Sequence, residues 1–148
     1  MKLVITILFS IMLTSCPNKN QINLQEEDSF TSLYKGKMNG SENIKEKNKV
    51  ITSVNEWQYF LSTLNIDKNN IPVVDFSKNT LIVLIDKVRN TGGFDIGVEK
   101  ISIQERKLII NVKHAGPKPT DMVTMAIEQP FQVIKINKTN KEIIFVTI

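Results

Sequence analysis

The stretch FDIGVEKISIQERKLIINV, residues 94–112, decides the fold of this chain. Phe94, Ile96 and Val98 are apolar at every second position, and so are Ile101 and Ile103, but the second series is out of step with the first. A period of two is that of a strand with one buried face, and the slip at Glu99 or Lys100 predicts a β-bulge. Polar residues 104–107 follow, then the apolar run from Leu108 to Val112. Strand follows strand here with only a short polar turn between them.

The same texture extends outward. Residues 73–76 (Val-Val-Asp-Phe) and the apolar run 81–85 read as strands, as do 122–127, 131–136 and 143–146. Towards the N-terminus, residues 30–34 suggest a first strand, ended by the turn-prone stretch 36–41 with its Asn39-Gly40 pair. Lys49 to Thr52 reads as another short strand. One segment departs from the pattern. Ser53-Val54-Asn55-Glu56 has the form of a capping box, and Trp57, Phe60, Leu61 and Leu64 fall at i, i+3, i+4 and i+7. That predicts an amphipathic α-helix over about residues 53–65, with Trp57 as a core anchor. About seven short strands and one helix make the chain mainly β: an antiparallel immunoglobulin-like β-sandwich or a partly closed barrel.

With 148 residues, 41% of them hydrophobic, the chain suits a single core. Its beginning has another purpose. Lys2 precedes an almost unbroken apolar run over 3–13, too short to span a bilayer permanently and of the length of a signal-peptide core. Leu13-Thr14-Ser15-Cys16 closes it and resembles a bacterial lipobox, which implies that Cys16 is acylated and becomes the first mature residue. The expected organisation is a signal peptide over 1–15, a lipidated cysteine with a flexible tether over 16–28, and one β-rich domain over 29–148. The expected location is the bacterial cell envelope, at the outer membrane or cell surface, with membrane lipid as a partner through acylated Cys16. Because Cys16 is the single cysteine, no internal disulfide forms.

The net charge of +4 excludes little by itself, but the basic residues are lysines apart from Arg89 and Arg106, interleaved with Glu, Asp and Asn. Nucleic-acid readers rely on clustered patches and arginine forks, so nucleic acid is set aside. Chemistry is equally thin. His114 is the single histidine and sits before Ala115-Gly116-Pro117, where an exposed turn is expected. One imidazole builds no histidine metal cluster, the one thiol is committed to lipid, and acidic pairs such as Glu26-Glu27 lie in the tether. The expectation is a non-enzyme with no cofactor and no metal.

Two segments stand out as candidate recognition loops. Arg89-Asn90-Thr91-Gly92-Gly93-Phe94 is a strand end, a tight turn and the first aromatic of the next strand. Gln129-Pro130-Phe131 starts a strand with a proline that donates nothing to a ladder. At these residues the chain resembles a known family. Glu56-Trp57, Val74-Asp75-Phe76-Ser77-Lys78, Thr91-Gly92-Gly93-Phe94 and Gln129-Pro130-Phe131, in that order, look like the C-terminal domain of the protease complex subunit PrcB, over about residues 30–145. The resemblance implies a surface lipoprotein that associates with an exported protease and supports its maturation or stability without cleaving peptides itself. A fainter likeness joins Asn90-Thr91-Gly92-Gly93-Phe94 and Gln129-Pro130-Phe131 to two of the three loops of chagasin-type cysteine-peptidase inhibitors. Gly116-Pro117-Lys118-Pro119 stands where that family has a glycine-rich loop, and the first loop lacks the family's proline. The function expected first is therefore a lipid-anchored protein-binding module serving a protease; the alternatives are a chagasin-like inhibitor and a structural envelope lipoprotein.

Overall fold

The computed structural model describes residues 26–27, 29–64 and 73–148. The expected signal peptide, Cys16 and the tether as far as residue 25 lie outside them. Eight strands and one helix follow in chain order: β1 (Glu26–Glu27), β2 (Thr31–Met38), β3 (Lys47–Ile51), α1 (Val54–Thr63), β4 (Asn79–Ile85), β5 (Asp95–Gln104), β6 (Lys107–Ala115), β7 (Gln129–Asn137) and β8 (Glu142–Thr147).

The strands form two four-stranded sheets, ordered β2-β7-β4-β3 and β1-β5-β6-β8. The first is the middle layer, because its two inner strands are apolar at consecutive positions. In β4, Leu81, Val83 and Ile85 pack towards α1, whereas Ile82 and Leu84 pack towards the second sheet. In β7, Phe131 and Val133 take the helix side, and Ile134 and Ile136 the sheet side. Alternate side chains leave a strand on opposite faces, so a strand covered on both must be apolar throughout. Each fully buried Leu or Ile stabilises the fold by roughly 2 kcal/mol relative to exposure.

The second sheet has one buried face, and its sequence shows it. Leu108, Ile110 and Val112 of β6 are buried, with Lys113 on the opposite face exposed. In β5 the register against β6 shifts between Val98 and Lys100, which is the expected bulge; it brings Ile101 and Ile103 onto the same face as Ile96 and Val98. Both sheets stay open, so the architecture is a sandwich with a helix on its outer side and not a closed barrel. The chain crosses to the middle sheet after β6 and returns after β7, which makes β8 run parallel to β6.

Helix α1 is entered as its sequence predicts. The Ser53 Oγ accepts a hydrogen bond from Glu56 N at 3.3 Å, and Glu56 Oε2 accepts one from Thr52 N at 2.9 Å, one residue earlier than in the usual box. These bonds hold the Glu56 carboxyl below its ordinary pKa, the Thr52 backbone N–H foremost. Trp57, Phe60 and Leu64 are buried against the middle sheet, the first two stacked at 5.9 Å. The helix ends at Thr63, and residue 65 lies outside the described residues.

Four expectations differ. The first strand does not stop before Gly36 but runs to Met38, since Gly36 faces Phe131 across the ladder and leaves room for the Tyr34 ring to stack on Phe131 at 5.3 Å. Residues 73–76 form no strand. Asp75 Oδ1 accepts from Ser77 N at 2.9 Å and its carbonyl accepts from Asn79 N at 3.0 Å, a side-chain-capped turn that displaces a ladder. Residues 122–127 form no strand either: Gly92 N donates to the Thr124 carbonyl and Glu128 pairs with Arg89 in an isolated bridge, so the segment is held across the loop end and joins neither sheet. Finally, Glu26 and Glu27, expected within a free tether, pair with Ile103 and Ser102 on the outer edge of β5.

Candidate functional site

The sandwich has two ends. At one, β5 turns into β6 and β7 into β8; at the other lie the connections 39–46, 86–94 and 116–128. The second end holds Arg89 to Phe94, and the way its three loops are held together starts from one buried carboxylate.

Asp86 follows the last residue of β4 and is fully buried. Its carboxylate accepts from Arg89 Nε at 3.0 Å, from Arg89 Nη2 at 2.8 and 3.0 Å and from Lys87 N at 2.9 Å, and it lies 3.2 Å from His114 Nδ1. A buried charge survives only when paired and hydrogen-bonded, and Asp86 is both. Its backbone is also used: Gln129 Nε2 donates to Asp86 O at 2.9 Å and to Ile44 O at 2.7 Å, tying the first connection to the second. The Arg89 guanidinium lies 4.4 Å from the centre of the Phe94 ring, a cation–π contact that closes the 86–94 loop on itself.

The third connection is fastened to this hub. Arg89 and Glu128 exchange two backbone hydrogen bonds, at 2.7 and 3.0 Å, and Glu128 Oε2 meets Lys37 Nζ at 2.5 Å. Gly92 N donates to Thr124 O at 2.9 Å. A Cβ on Gly92 would overlap Thr124 Oγ1, so the approach of the two loops requires glycine there, and Gly93 beside it has φ of +91°. At the start of the strap, Asp121 N donates to Lys118 O at 3.0 Å and Lys118 N to Asp121 Oδ2 at 2.7 Å.

Between these fastenings the strap is bare. Met122 and Met125 are fully exposed, at 101% and 98%, and Val123, Ile127 and the neighbouring Val88 are exposed too. Val88 and Ile127 both lie against Gly40, which brings the first connection to the same patch. Apolar side chains gathered on one loop cluster and turned outward mark an interaction surface. Lys87 and Lys118 are exposed beside it.

The expected site residues divide accordingly. Asn90 and Gly93 are exposed, Arg89, Thr91 and Phe94 are half-buried and Gly92 is buried beneath the strap, so this loop forms the floor and flank of the surface. Gln129, Pro130 and Phe131 are not displayed: they open β7 with their side chains in the interior, and Gln129 braces two loops from below. The strap 118–127 takes the place they were expected to fill. Its apolar residues resembled a strand, so composition hid it; Lys118-Pro119 at its start and Pro130 after it were the available signals of a segment outside the ladder. His114, expected in an exposed turn, lies in β6 opposite Ile96, half-buried and bonded to Asp86. That contact with the Asp86 carboxylate positions the imidazole within the hub. Among the described residues there is no grouping of three or more His, Cys, Asp or Glu placed to hold a metal ion.

Residues 80–137, from the beginning of β4 to the end of β7, match the family model described as PrcB C-terminal, the domain of a protease-complex accessory subunit. The match covers the hub, the 89–94 loop and the strap, and it bears out the PrcB resemblance over that segment. No curated protein and no solved structure matches the chain. The chagasin-type likeness gains no support from a match, and one of its two loops, at Gln129 to Phe131, is interior.

Proposed function

We propose, taking the PrcB C-terminal segment at residues 80–137 as the premise, that the chain is a non-catalytic accessory subunit of an exported protease. In this reading acylated Cys16 holds it at the envelope membrane, and the strap 118–127 with the 89–94 loop is the face that docks on the protease. The observation that carries the reading is the pair of fully exposed methionines, Met122 and Met125, on a loop bonded to the 86–94 loop at Thr124 and Glu128.

The physics favours association at this face. Burying each methionine contributes roughly 2 kcal/mol, and the unbranched, polarizable side chain adapts to an irregular surface. Because Gly92 and Arg89 already hold the strap at Thr124 and Glu128, and the Asp121–Lys118 bonds fix its first turn, ordering entropy lost on docking is reduced. Lys87 and Lys118 at the rim suit a protease surface with acidic groups around an apolar groove, where they would raise the association rate. No catalytic step is assigned to the chain, since its one imidazole serves Asp86.

The test is co-purification from native membranes of the wild-type chain and of M122S/M125S. Recovery of one identified exported protease with the wild type, lost at least about tenfold in the variant, is the expected result; tenfold is the effect of roughly 1.4 kcal/mol. Equal recovery with both chains, or recovery of no protease with either, would refute the docking face.

A further inference from the structure

The end opposite the loops carries a basic cluster of its own. The β5–β6 turn and the β7–β8 turn meet there around an open cleft of about 950 Å³, lined by Arg106, Lys107, Lys138 and Lys141 together with Glu105 and Glu142. Arg106, Lys107 and Lys138 are exposed, and Lys141 is half-buried. Lys138 Nζ donates to the Phe76 carbonyl at 3.2 Å, which fixes that charge at the rim, and Glu142 N donates to Arg106 O at 3.0 Å, joining the two turns. Nearby Lys78 is balanced by Asp75 at 3.9 Å.

The chain enters the domain at this same end. Strand β1 is antiparallel to β5, with Glu26 opposite Ile103 and Glu27 opposite Ser102, and β5 runs from the loop end down to its turn at Glu105 and Arg106. Strand β1 therefore begins on the side of the basic turns. Ten steps of chain separate Cys16 from Glu26, which reach at most about 35 Å when fully extended. β5 alone is ten residues long, about 33 Å at a strand's rise. A lipid at Cys16 would need nearly all of that reach to bring the loop end to the membrane, and almost none to bring the basic end there.

We propose that the basic end, Arg106, Lys107, Lys138 and Lys141, seats on the anionic phosphate headgroups of the membrane that holds Cys16, so that Met122 and Met125 face away from lipid. Four cations against Glu105 and Glu142 give the tip its positive sign. The backbones of Glu26 and Glu27 pair with Ile103 and Ser102, about 7–10 Å along the strand from the tip, where physiological salt screens them in part. Each lysine or arginine near an anionic leaflet adds to the attraction, and a second, electrostatic contact is what orients a domain that one lipid anchor leaves free to swivel. The strap is then free for a protein and not spent on lipid.

The inference rests on anchoring at Cys16, and the experiment separates the two. The chain from Cys16 onward, which retains every described residue, is coupled through its single thiol to a maleimide lipid in vesicles, either of neutral phosphatidylcholine or containing about one-quarter phosphatidylglycerol. Lysine acetylation is then followed peptide by peptide. Rates at Lys107, Lys138 and Lys141 are expected to fall at least about fivefold on the anionic vesicles and to recover in high salt, with Lys87 and Lys118 unchanged on both. Protection of Lys87 and Lys118, or equal rates at the basic end on both vesicles, would overturn the seating whether or not Cys16 is acylated in the cell. The mass of the N-terminal peptide of membrane-extracted chain reports acylation separately.

Discussion

Replacing Asp86 by alanine tests the hub on which the loop end depends. Asp86 is fully buried, and the Arg89 side chain, which gives it three of its hydrogen bonds, is 17% exposed. Removing the carboxylate leaves that guanidinium, Lys87 N and His114 facing a vacancy. Breaking one side of a buried pair costs about 3–5 kcal/mol, because the remaining charge is uncompensated. Against a total stability of about 5–15 kcal/mol, that is a large fraction. Arg89→Met strands the other charge, but Lys87 N and His114 still bond the carboxylate, so its cost should be smaller, about 2–3 kcal/mol. The double variant should cost about 2 kcal/mol less than the sum of the two, since each residue is unpaired only once. Urea unfolding followed by the fluorescence of Trp57, the single tryptophan and a buried one, reads all four states of the cycle. A cost below about 1 kcal/mol for Asp86→Ala, or strict additivity with Arg89→Met, would refute the hub.

Three further outcomes follow from single contacts. Gly92→Ala should destabilise by about 1–3 kcal/mol, because the new methyl overlaps Thr124 Oγ1 and comes within 3.2 Å of Glu128 Oε1; faster amide exchange at position 92 would show that its bond to Thr124 O has opened, and unchanged exchange would contradict this. Phe131→Ala should cost about 3–5 kcal/mol in urea unfolding, as an interior ring stacked on Tyr34 must, whereas Asn90→Ala on the exposed loop should stay within about 0.5 kcal/mol; similar costs would mean that Phe131 is not a core residue. Glu56 gives a pH prediction. Its folded-state pKa is depressed, chiefly by the Thr52 N–H, so its stabilisation is present above the unfolded-state value and is lost as pH falls through the lower folded value. Glu56→Gln should therefore lower the urea midpoint near neutrality and narrow its difference from wild type in acid, and a constant difference at all pH values would be against it.

Much of the fold was legible because it rests on local chemistry. The slip at Glu99 and Lys100 is a bulge, Ser53 and Glu56 are a cap, and the apolar run at 81–85 is a strand covered on both faces. The misreadings share one cause: a strand requires a partner, and a sequence does not display its ladders. Residues 122–127 have strand-like composition but are held across the loop end by the backbone bonds to Gly92 and Arg89, and residues 73–76 form the Asp75 turn in place of a ladder. Gly36 read as a turn because its use, a space for the Tyr34 ring beside Phe131, involves a strand about a hundred positions away.

The candidate site was half legible for the same reason. Arg89 to Phe94 announced itself through glycines and a flanking aromatic, and it does lie at the loop end. Its partners in space could not be found by inspection, since His114 lies 28 positions from Asp86 and Thr124 lies 32 from Gly92. Gln129 to Phe131 drew attention as a motif, but what it marks is the buried beginning of β7, below the surface that the strap presents.

The docking face is tested most directly by placing a photoreactive amino acid at position 125, and separately at position 140 on the opposite end, in the chain anchored in its native membranes. The expected result is an adduct from position 125 with an exported protease, identified by mass spectrometry, and no such adduct from position 140. An adduct with the protease from position 140 instead, or none from position 125, would contradict the assignment of Met122 and Met125 to protease docking.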